Sequence, residues 1–220
     1  MKKLSQASQD YLKTIYRITQ NGDRASTNRL AKELAVKPAS VTGMVQKLAR
    51  NQPPLVIYRK HQGVVLTAVG ERAALEMIRH HRLIETFLHQ KLSYDWDEVH
   101  EEADRLEHVI SEEMEARMAA ALGHPERDPH GHIIPTIEFK TTPATEFPLT
   151  DLEVGQTAVI RQVCDVNPEI LRWLARYNLR PGTELQFTKH TEDGCRRIQT
   201  SDEQIDLCPP IAEAMLVDLI

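Results

Sequence analysis

The stretch STNRLAKELAVKPASVTGMVQKLAR, residues 26–50, decides the first part of the fold. Ser26 is placed to cap a short helix whose apolar side is Leu30, Ala31 and Leu34. Pro38 suits the first position of the next helix, where its missing N–H has no partner to lose. That helix runs to about Arg50, with Val41, Met44, Val45 and Leu48 turned inward at helical spacing. Upstream, residues 5–20 predict an amphipathic helix on Leu4, Ala7, Tyr11, Ile15 and Ile18, closed by a turn at Asn21-Gly22-Asp23. Downstream, Leu55–Arg59 and Val64–Thr67 flank Lys60-His61-Gln62-Gly63 and predict a hairpin. Helix, helix, turn, helix, hairpin is the order of a winged helix-turn-helix.

Charge supports a polyanion partner for this module. Residues 1–72 carry 13 Lys+Arg against Asp10, Asp23, Glu33 and Glu71, a net of +9, whereas the remainder carries a net of −14. Lys37, Ala39, Ser40, Thr42, Gly43, Gln46 and Lys47 lie opposite the apolar face of the third helix. Small polar residues there can approach base edges in the major groove. Arg59, Lys60 and His61 of the wing, with the lysines, are placed for phosphates, which position a module without reading sequence. The competing reading is a winged helix used for protein contacts.

The middle of the chain carries a different chemistry. His100, Asp104, Glu107 and His108 stand at i, i+4, i+7 and i+8, so one continuous helix would project all four to one side. His81 and Glu85 form a second i, i+4 pair, and eight of the ten histidines fall between His80 and His132. Imidazoles and carboxylates together suit a hard-to-borderline divalent cation. The bland alternative is a solvated acidic face with incidental histidines.

The rest of the chain frames these segments. Residues 69–92 predict a long helix, and residues 96–122 another, closed by Gly123. Pro125–Pro135 reads as a loop, residues 140–150 as a linker, and the residues from Asp151 onward as a small β-barrel containing one short helix, Pro168–Tyr177. The expected domains are thus 1–72, 73–139 and 151–220, joined by the linker 140–150. The fold class is mainly α with β: winged helix-turn-helix, helical metal-binding and dimerisation domain, Src-homology-3-like barrel. No apolar run approaches the ~20 residues of a membrane span, and the first ten residues hold no apolar signal core, so the chain is expected in the cytoplasm, away from membranes. Cys164, Cys195 and Cys208 include no Cys-x-x-Cys pair and predict three buried or inert thiols.

Taken together these motifs resemble the metal-dependent repressors of the diphtheria-toxin-repressor type, in particular their manganese-responsive branch. The resemblance rests on DYLKTIY (10–16), PASVT (38–42), VQKL (45–48), HRL-x-E (81–85), HEEADRLEH (100–108) and PHGH-x-IP (129–135). The C-terminal NLRPGT (178–183), with Leu152 and Gly155, extends it to a FeoA-type domain. It implies a primary metal site at Asp10, His81, Asp104, Glu107 and His108. A second site would use Glu85, His100, Asp128, His130 and Asp165. Carboxylates at Asp10 and Asp104 stand where the iron-responsive branch has sulfur ligands. Hard oxygen donors suit Mn²⁺ first and Fe²⁺ second. Asp128 replaces a Cys of many relatives with another hard anion. Lys13 departs from members with a carboxylate there, favouring separate sites over a two-manganese cluster. Gly43 replaces a longer side chain, so base readout at that step is absent or water-mediated. His80, His124 and His132 are expected at the surface.

The implied function is a metal-activated homodimeric repressor of metal-uptake genes. Its operator would be an inverted repeat in double-stranded DNA, with recognition helices about 34 Å apart. Two other classes stay open on sequence. One is a metal-independent winged-helix regulator in which the polar residues are structural. The other is a metallohydrolase, which needs an open coordination position and a general base. The sequence carries neither a nucleophile motif nor a Gly-rich phosphate loop, and no enzymatic activity is expected.

Overall fold

The computed structural model describes residues 4–20, 22–142, 145–165 and 167–220. Asn21 of the expected turn and Pro143 and Ala144 of the expected linker lie outside them. The chain divides into two compact units. The first comprises residues 1–80, 107–110 and 135–140; the second comprises 81–106, 111–134 and 141–220.

The first unit opens with α1 (Gln6–Thr19), α2 (Thr27–Glu33) and α3 (Pro38–Ala49), then the hairpin β1 (Val56–Arg59) and β2 (Gly63–Leu66). Local chemistry sets each boundary. The Ser26 hydroxyl accepts the Arg29 N–H at the start of α2, and Pro38 occupies the first turn of α3. The hairpin register pairs Arg59 with Gly63 and Tyr58 with Val64. Its core joins Leu12, Ile15 and Ile18 of α1 to Leu30, Val41, Val45, Leu48, Leu55 and Val64, all 5 % exposed or less. Each such aliphatic side chain contributes roughly 1.5–3 kcal/mol by leaving water. The buried face of α1 is one residue out of the expected phase at its start: Ser8 is buried and Ala7 exposed.

The long helix α4 (Ala68–Leu92) follows as expected. The expected helix 96–122 is instead two: α5 (Val99–Leu106) and α6 (Glu112–Ala121). A fresh cap separates them, the Ser111 hydroxyl accepting the Met114 N–H, with Glu112, Glu113 and Glu115 in the first turn where the helix dipole favours anions. Glu107 and His108 therefore lie in the turn beyond α5 rather than on its face.

The C-terminal part is a six-stranded antiparallel sheet of order β3-β8-β4-β5-β6-β7. Its strands are β3 (Phe147–Pro148), β4 (Thr157–Val163), β5 (Glu184–His190), β6 (Arg196–Gln199), β7 (Gln204–Leu207) and β8 (Met215–Leu219). Helices α7 (Pro168–Arg176) and α8 (Pro209–Ala212) interrupt it. The end of the expected linker is thus part of the sheet: Phe147 pairs with Val217, and Leu149 is fully buried. Trp96 joins the sheet's apolar core beside Leu149, Leu174 and Phe187. Cys195 and Cys208 form a disulfide, which corrects the expectation of three thiols; Cys164 is free and exposed rather than buried. The physical reason is register. Arg196 pairs with Leu207, which sets the preceding and following cysteines opposite each other across β6 and β7. Among the described residues no helix is long and apolar enough to cross a membrane.

Candidate metal centres and nucleic-acid face

In the first unit, Asp10 of α1 meets His108 and Glu107. His108 Nε2 lies 3.0 Å from Asp10 Oδ1 and 3.4 Å from Glu107 Oε1. The other ring nitrogen, Nδ1, is 3.0 Å from the side-chain oxygen of Gln9. With Nδ1–H donating there, Nε2 offers its lone pair toward the two carboxylates, the arrangement that orients a metal-binding imidazole. Glu107 is almost wholly buried, and its second oxygen accepts from Lys13 Nζ at 2.7 Å. His80, expected at the surface, is buried with Nδ1 3.2 Å from the Glu107 carbonyl.

In the second unit, a larger group forms around Glu85. Its Oε1 is 3.0 Å from His81 Nε2 and 3.1 Å from His100 Nδ1. His100 Nδ1 is 3.6 Å from Asp165 Oδ2, and Asp104 approaches His81 Nδ1 at 3.3 Å. The loop 127–133 supplies the other side. Asp128 Oδ1 accepts the backbone N–H groups of His130 and His132, at 2.8 and 3.0 Å, leaving Oδ2 turned inward. His130 Nε2 donates to the Trp96 carbonyl at 2.7 Å, because a carbonyl can only accept, and so Nδ1 faces Glu85 Oε2 at 3.8 Å. Gly131 makes the loop possible. Its φ is +91°, and a Cβ there would sit 1.9 Å from the Arg161 carbonyl of β4. Its neighbours are fixed by the same contact, Val163 N–H donating to the His130 carbonyl at 2.9 Å.

Carboxylates and imidazoles shift one another's proton affinity here. Burial pushes the Glu85 carboxyl up, but the imidazoles of His81, His100 and His130 outweigh it and hold it well below the usual carboxylate range. Burial lowers His130, yet the carboxylates of Glu85, Asp128 and Asp165 raise it to about 9. Asp165 is pushed up by burial and held lower overall, chiefly by His132. Four buried atoms here make no hydrogen bond: Glu85 Oε2, Asp128 Oδ2, His130 Nδ1 and His132 Nδ1. Leaving such groups unsatisfied costs roughly 1–3 kcal/mol each, and a divalent ion held among them would satisfy them together.

The exposed face of α3 carries Lys37, Ala39, Ser40, Gly43, Gln46 and Lys47, with Thr42 half-buried and its hydroxyl donating to the Pro38 carbonyl. Arg59, Lys60 and His61 are exposed at the hairpin tip, where His61 has φ +64° and Gly63 +85°. These positions match the sequence expectation of a basic, small-residue face.

Family-level sequence profiles cover nearly the whole chain. Residues 3–64 match the iron-dependent repressor N-terminal DNA-binding domain, residues 67–136 the iron-dependent repressor metal-binding and dimerisation domain, and residues 147–219 the FeoA domain. The chain belongs to the iron-dependent repressor family. It is 32% identical to the iron-dependent repressor IdeR of Mycobacterium tuberculosis over 174 residues, 75% of each chain. It is 28% identical to the diphtheria toxin repressor of Corynebacterium efficiens over 230 aligned positions, 100% of this chain and 98% of that one. Among solved structures it is similar to a manganese-dependent transcriptional repressor in complex with manganese, at 36% identity and a TM-score of 0.89. The match covers 97% of this chain and 100% of that one. ScaR with bound Zn²⁺ is similar at 30% identity and a TM-score of 0.80, covering 97% and 99%.

As a member of this family the repressor is a metal-dependent regulator of transcription, and its residues fall into two sets. Asp10, Glu107 and His108 come together in the first unit; His81, Glu85, His100, Asp104, Asp128, His130 and Asp165 come together in the second. His132, expected at the surface, joins the second set with Nδ1 3.2 Å from Asp128 Oδ2, whereas His124 is exposed as expected. The signal for His132 was its i, i+4 spacing from Asp128, which in this tight loop brings the two side chains together.

Proposed function

We propose that this repressor responds to manganese, with ferrous iron the second candidate. Its ligand would be an inverted-repeat operator bound by a homodimer, and its targets metal-uptake genes. The observation that carries the proposal is the donor set. Asp10, Glu107 and His108 converge on a partly buried polar spot, and every donor in both groups is a carboxylate oxygen or an imidazole nitrogen, with no sulfur. Hard oxygen and imidazole donors suit Mn²⁺ and Fe²⁺ and give softer ions no added preference. The manganese complex of a structural neighbour supports the same reading.

In the first unit, Asp10, Glu107 and His108 would hold the ion. In the second, Glu85, His100, Asp128, His130 and Asp165 would do so, with His81 and Asp104 adjoining. The bound ion supplies a dication that cancels carboxylate repulsion. The chain's own residues do the rest. Asp10 lies one turn from Lys13 on α1, and Glu107 and His108 follow α5, so ligation would join α1 of the DNA-binding module to the segment after α5. Such a tie restricts the arrangements the dimer samples and favours the one with recognition helices about 34 Å apart. By linkage, operator DNA would tighten metal binding by the same factor. Lys37 and Lys47 of α3, and Arg59 and Lys60 of the hairpin, would sit on phosphates, while Ala39, Ser40, Thr42 and Gln46 face base edges.

The test is fluorescence anisotropy on labelled promoter DNA at fixed salt, with chelator, Mn²⁺, anaerobic Fe²⁺ and Zn²⁺ in parallel. Salt is fixed because phosphate contacts make affinity strongly salt-dependent. Tight binding with Mn²⁺ and weak binding in chelator is the expected result. Equal binding in chelator would overturn the metal dependence and leave a metal-independent winged-helix regulator.

A further inference from the structure

We propose that Arg24 is a phosphate-binding residue of the nucleic-acid face and also the latch that positions the hairpin tip. The turn before α2 and the hairpin grip the DNA backbone as one element. This deepens the proposed operator binding and rests on it.

The hairpin does not stand alone. Ala25, just before the cap of α2, forms a one-residue bridge with Val64 of β2. Each donates to the other's carbonyl, the Ala25 N–H at 3.0 Å and the Val64 N–H at 2.9 Å. Ala25 is fully buried, so the bridge anchors this segment in the core of the first unit. Arg24 beside it is exposed, and its Nε–H donates to the Gln62 carbonyl at 2.8 Å. Gln62 lies between His61 and Gly63 at the tip, and its own N–H donates to the Arg59 carbonyl at 3.0 Å. One arginine therefore ties the turn before α2 to the residue that closes the hairpin, 38 positions further along the chain. Glycine at 63 permits the approach. A Cβ there would stand 2.7 Å from the Ala25 carbonyl oxygen and 3.3 Å from Arg24 Cβ.

A guanidinium suits both tasks at once. It carries five N–H donors in a rigid fork. The Nε–H goes to Gln62, which leaves the four terminal N–H groups for a phosphate, an anion that the fork matches. Among the described residues Arg24 makes no ion pair, whereas Arg17 of the same unit reaches Glu33 at 3.4 Å. Arg59, Lys60 and His61 are exposed at the tip, and Arg24 adds a further cation to them. Holding the tip before DNA arrives also lessens the ordering cost of the complex. Lysine at this position supplies the charge without a side-on N–H and a fork together.

The experiment titrates the full-length chain in MnCl₂ onto the labelled promoter duplex, and onto an unrelated duplex of equal length, over a series of KCl concentrations. Counterion release makes log Kd rise with log salt by about 0.9 for each phosphate neutralised. Arg24→Gln should flatten that slope by about 0.9 per protomer, about 1.8 for a dimer, and weaken binding about tenfold at the lowest salt on both duplexes. Arg176→Gln, an equal loss of charge at an exposed position of α7, should change neither quantity. Arg24→Lys should keep the slope yet bind about threefold more weakly, because the phosphate is still met while Gln62 is no longer held. Thermal melts confirm that each variant stays folded. An unchanged slope and affinity in Arg24→Gln, or an equal change in Arg176→Gln, would overturn the phosphate contact. Full affinity in Arg24→Lys would overturn the latch. Binding by the unmutated chain reports separately on the broader reading: Mn²⁺-stimulated binding alongside an unaltered Arg24→Gln slope confines the failure to Arg24, and no binding to either duplex, in Mn²⁺ or chelator, overturns operator binding itself.

Discussion

Lys13 Nζ donates to Glu107 Oε2 at 2.7 Å, placing an ammonium on a carboxylate that is 2% exposed and that also faces His108. The lysine thus holds one oxygen of a proposed metal ligand and sets a positive charge beside it. Breaking a buried ion pair from one side typically costs about 3 kcal/mol or more, because a charge stays behind. Lys13→Met should therefore destabilise the metal-free protein by about 3 kcal/mol in denaturant melts with chelator. Saturating Mn²⁺ should recover most of the loss, and first-unit Mn²⁺ affinity should rise roughly tenfold, since the ion no longer shares Glu107. Identical melts of the two proteins in chelator would show that the pair contributes nothing.

Asp10 and Asp104 separate the two centres experimentally. Asp10 contacts His108, whereas Asp104 contacts His81 and is half exposed. Asp10→Ala should abolish Mn²⁺-stimulated operator binding while leaving second-unit Mn²⁺ uptake intact. Asp104→Ala should weaken second-unit uptake without unfolding the chain. Anisotropy titration and metal analysis on both variants check this. Full stimulation in Asp10→Ala would remove Asp10 from the ligand set.

Much of this was legible in the sequence because it is local. Ser26 as a cap, Pro38 at a helix start and Gly63 in a hairpin each act within a few residues, and each appears where expected. The His81–Glu85 pair stays on one helix and meets directly. The helix 96–122 failed because hydrophobic period outweighed a weaker signal, Ser111 followed by acidic residues, which starts α6 afresh. Glu107 and His108 leave the helix that carries Asp104, so the first unit contains Asp10, Glu107 and His108 and the second the other expected ligands. The Cys195–Cys208 bridge was not legible, and the place of His132 was marked only by its spacing from Asp128. One depends on the register of β6 with β7, and the other on a loop held by Gly131 against β4.

Gly131 is the conformational key to that loop. Alanine there meets a left-handed φ and a backbone carbonyl at 1.9 Å, so loop and strand must part. Gly131→Ala should cost about 2 kcal/mol or more in a denaturant melt and lower second-unit Mn²⁺ content, while first-unit occupancy stays. Wild-type metal content in the variant would show that the loop carries no ligands.

Gly43 poses the opposite case. It sits on the exposed face of α3, and a Cβ there would meet nothing within 4 Å. Packing does not demand glycine, yet glycine inside a helix costs roughly 0.8–1 kcal/mol relative to alanine. Gly43→Ala should stabilise the protein by about that amount and still reduce operator affinity, because the methyl stands between Ser40 and Gln46 on the face proposed to approach base edges. Paired melts and anisotropy titrations test this. Unchanged operator affinity would place Gly43 outside the interface.

The proton on His130 gives the pH dependence a definite sign. Its carboxylate neighbours raise it from 6.5 to about 9 in the folded, metal-free chain. A raised histidine contributes stability that is fully present below about pH 6.5 and is lost as pH climbs through about 9. Metal runs against this, because ligation by Nδ1 requires the neutral ring and expels the proton. The metal-free protein should therefore lose stability between pH 6.5 and 9.5, while second-unit Mn²⁺ affinity rises over the same interval. At pH 7.5, calorimetric Mn²⁺ titration in buffers of different ionisation enthalpy should register proton release on binding, diminished in His130→Ala. Buffer-independent heats in the unmutated chain would mean that His130 is already neutral or does not bind the ion.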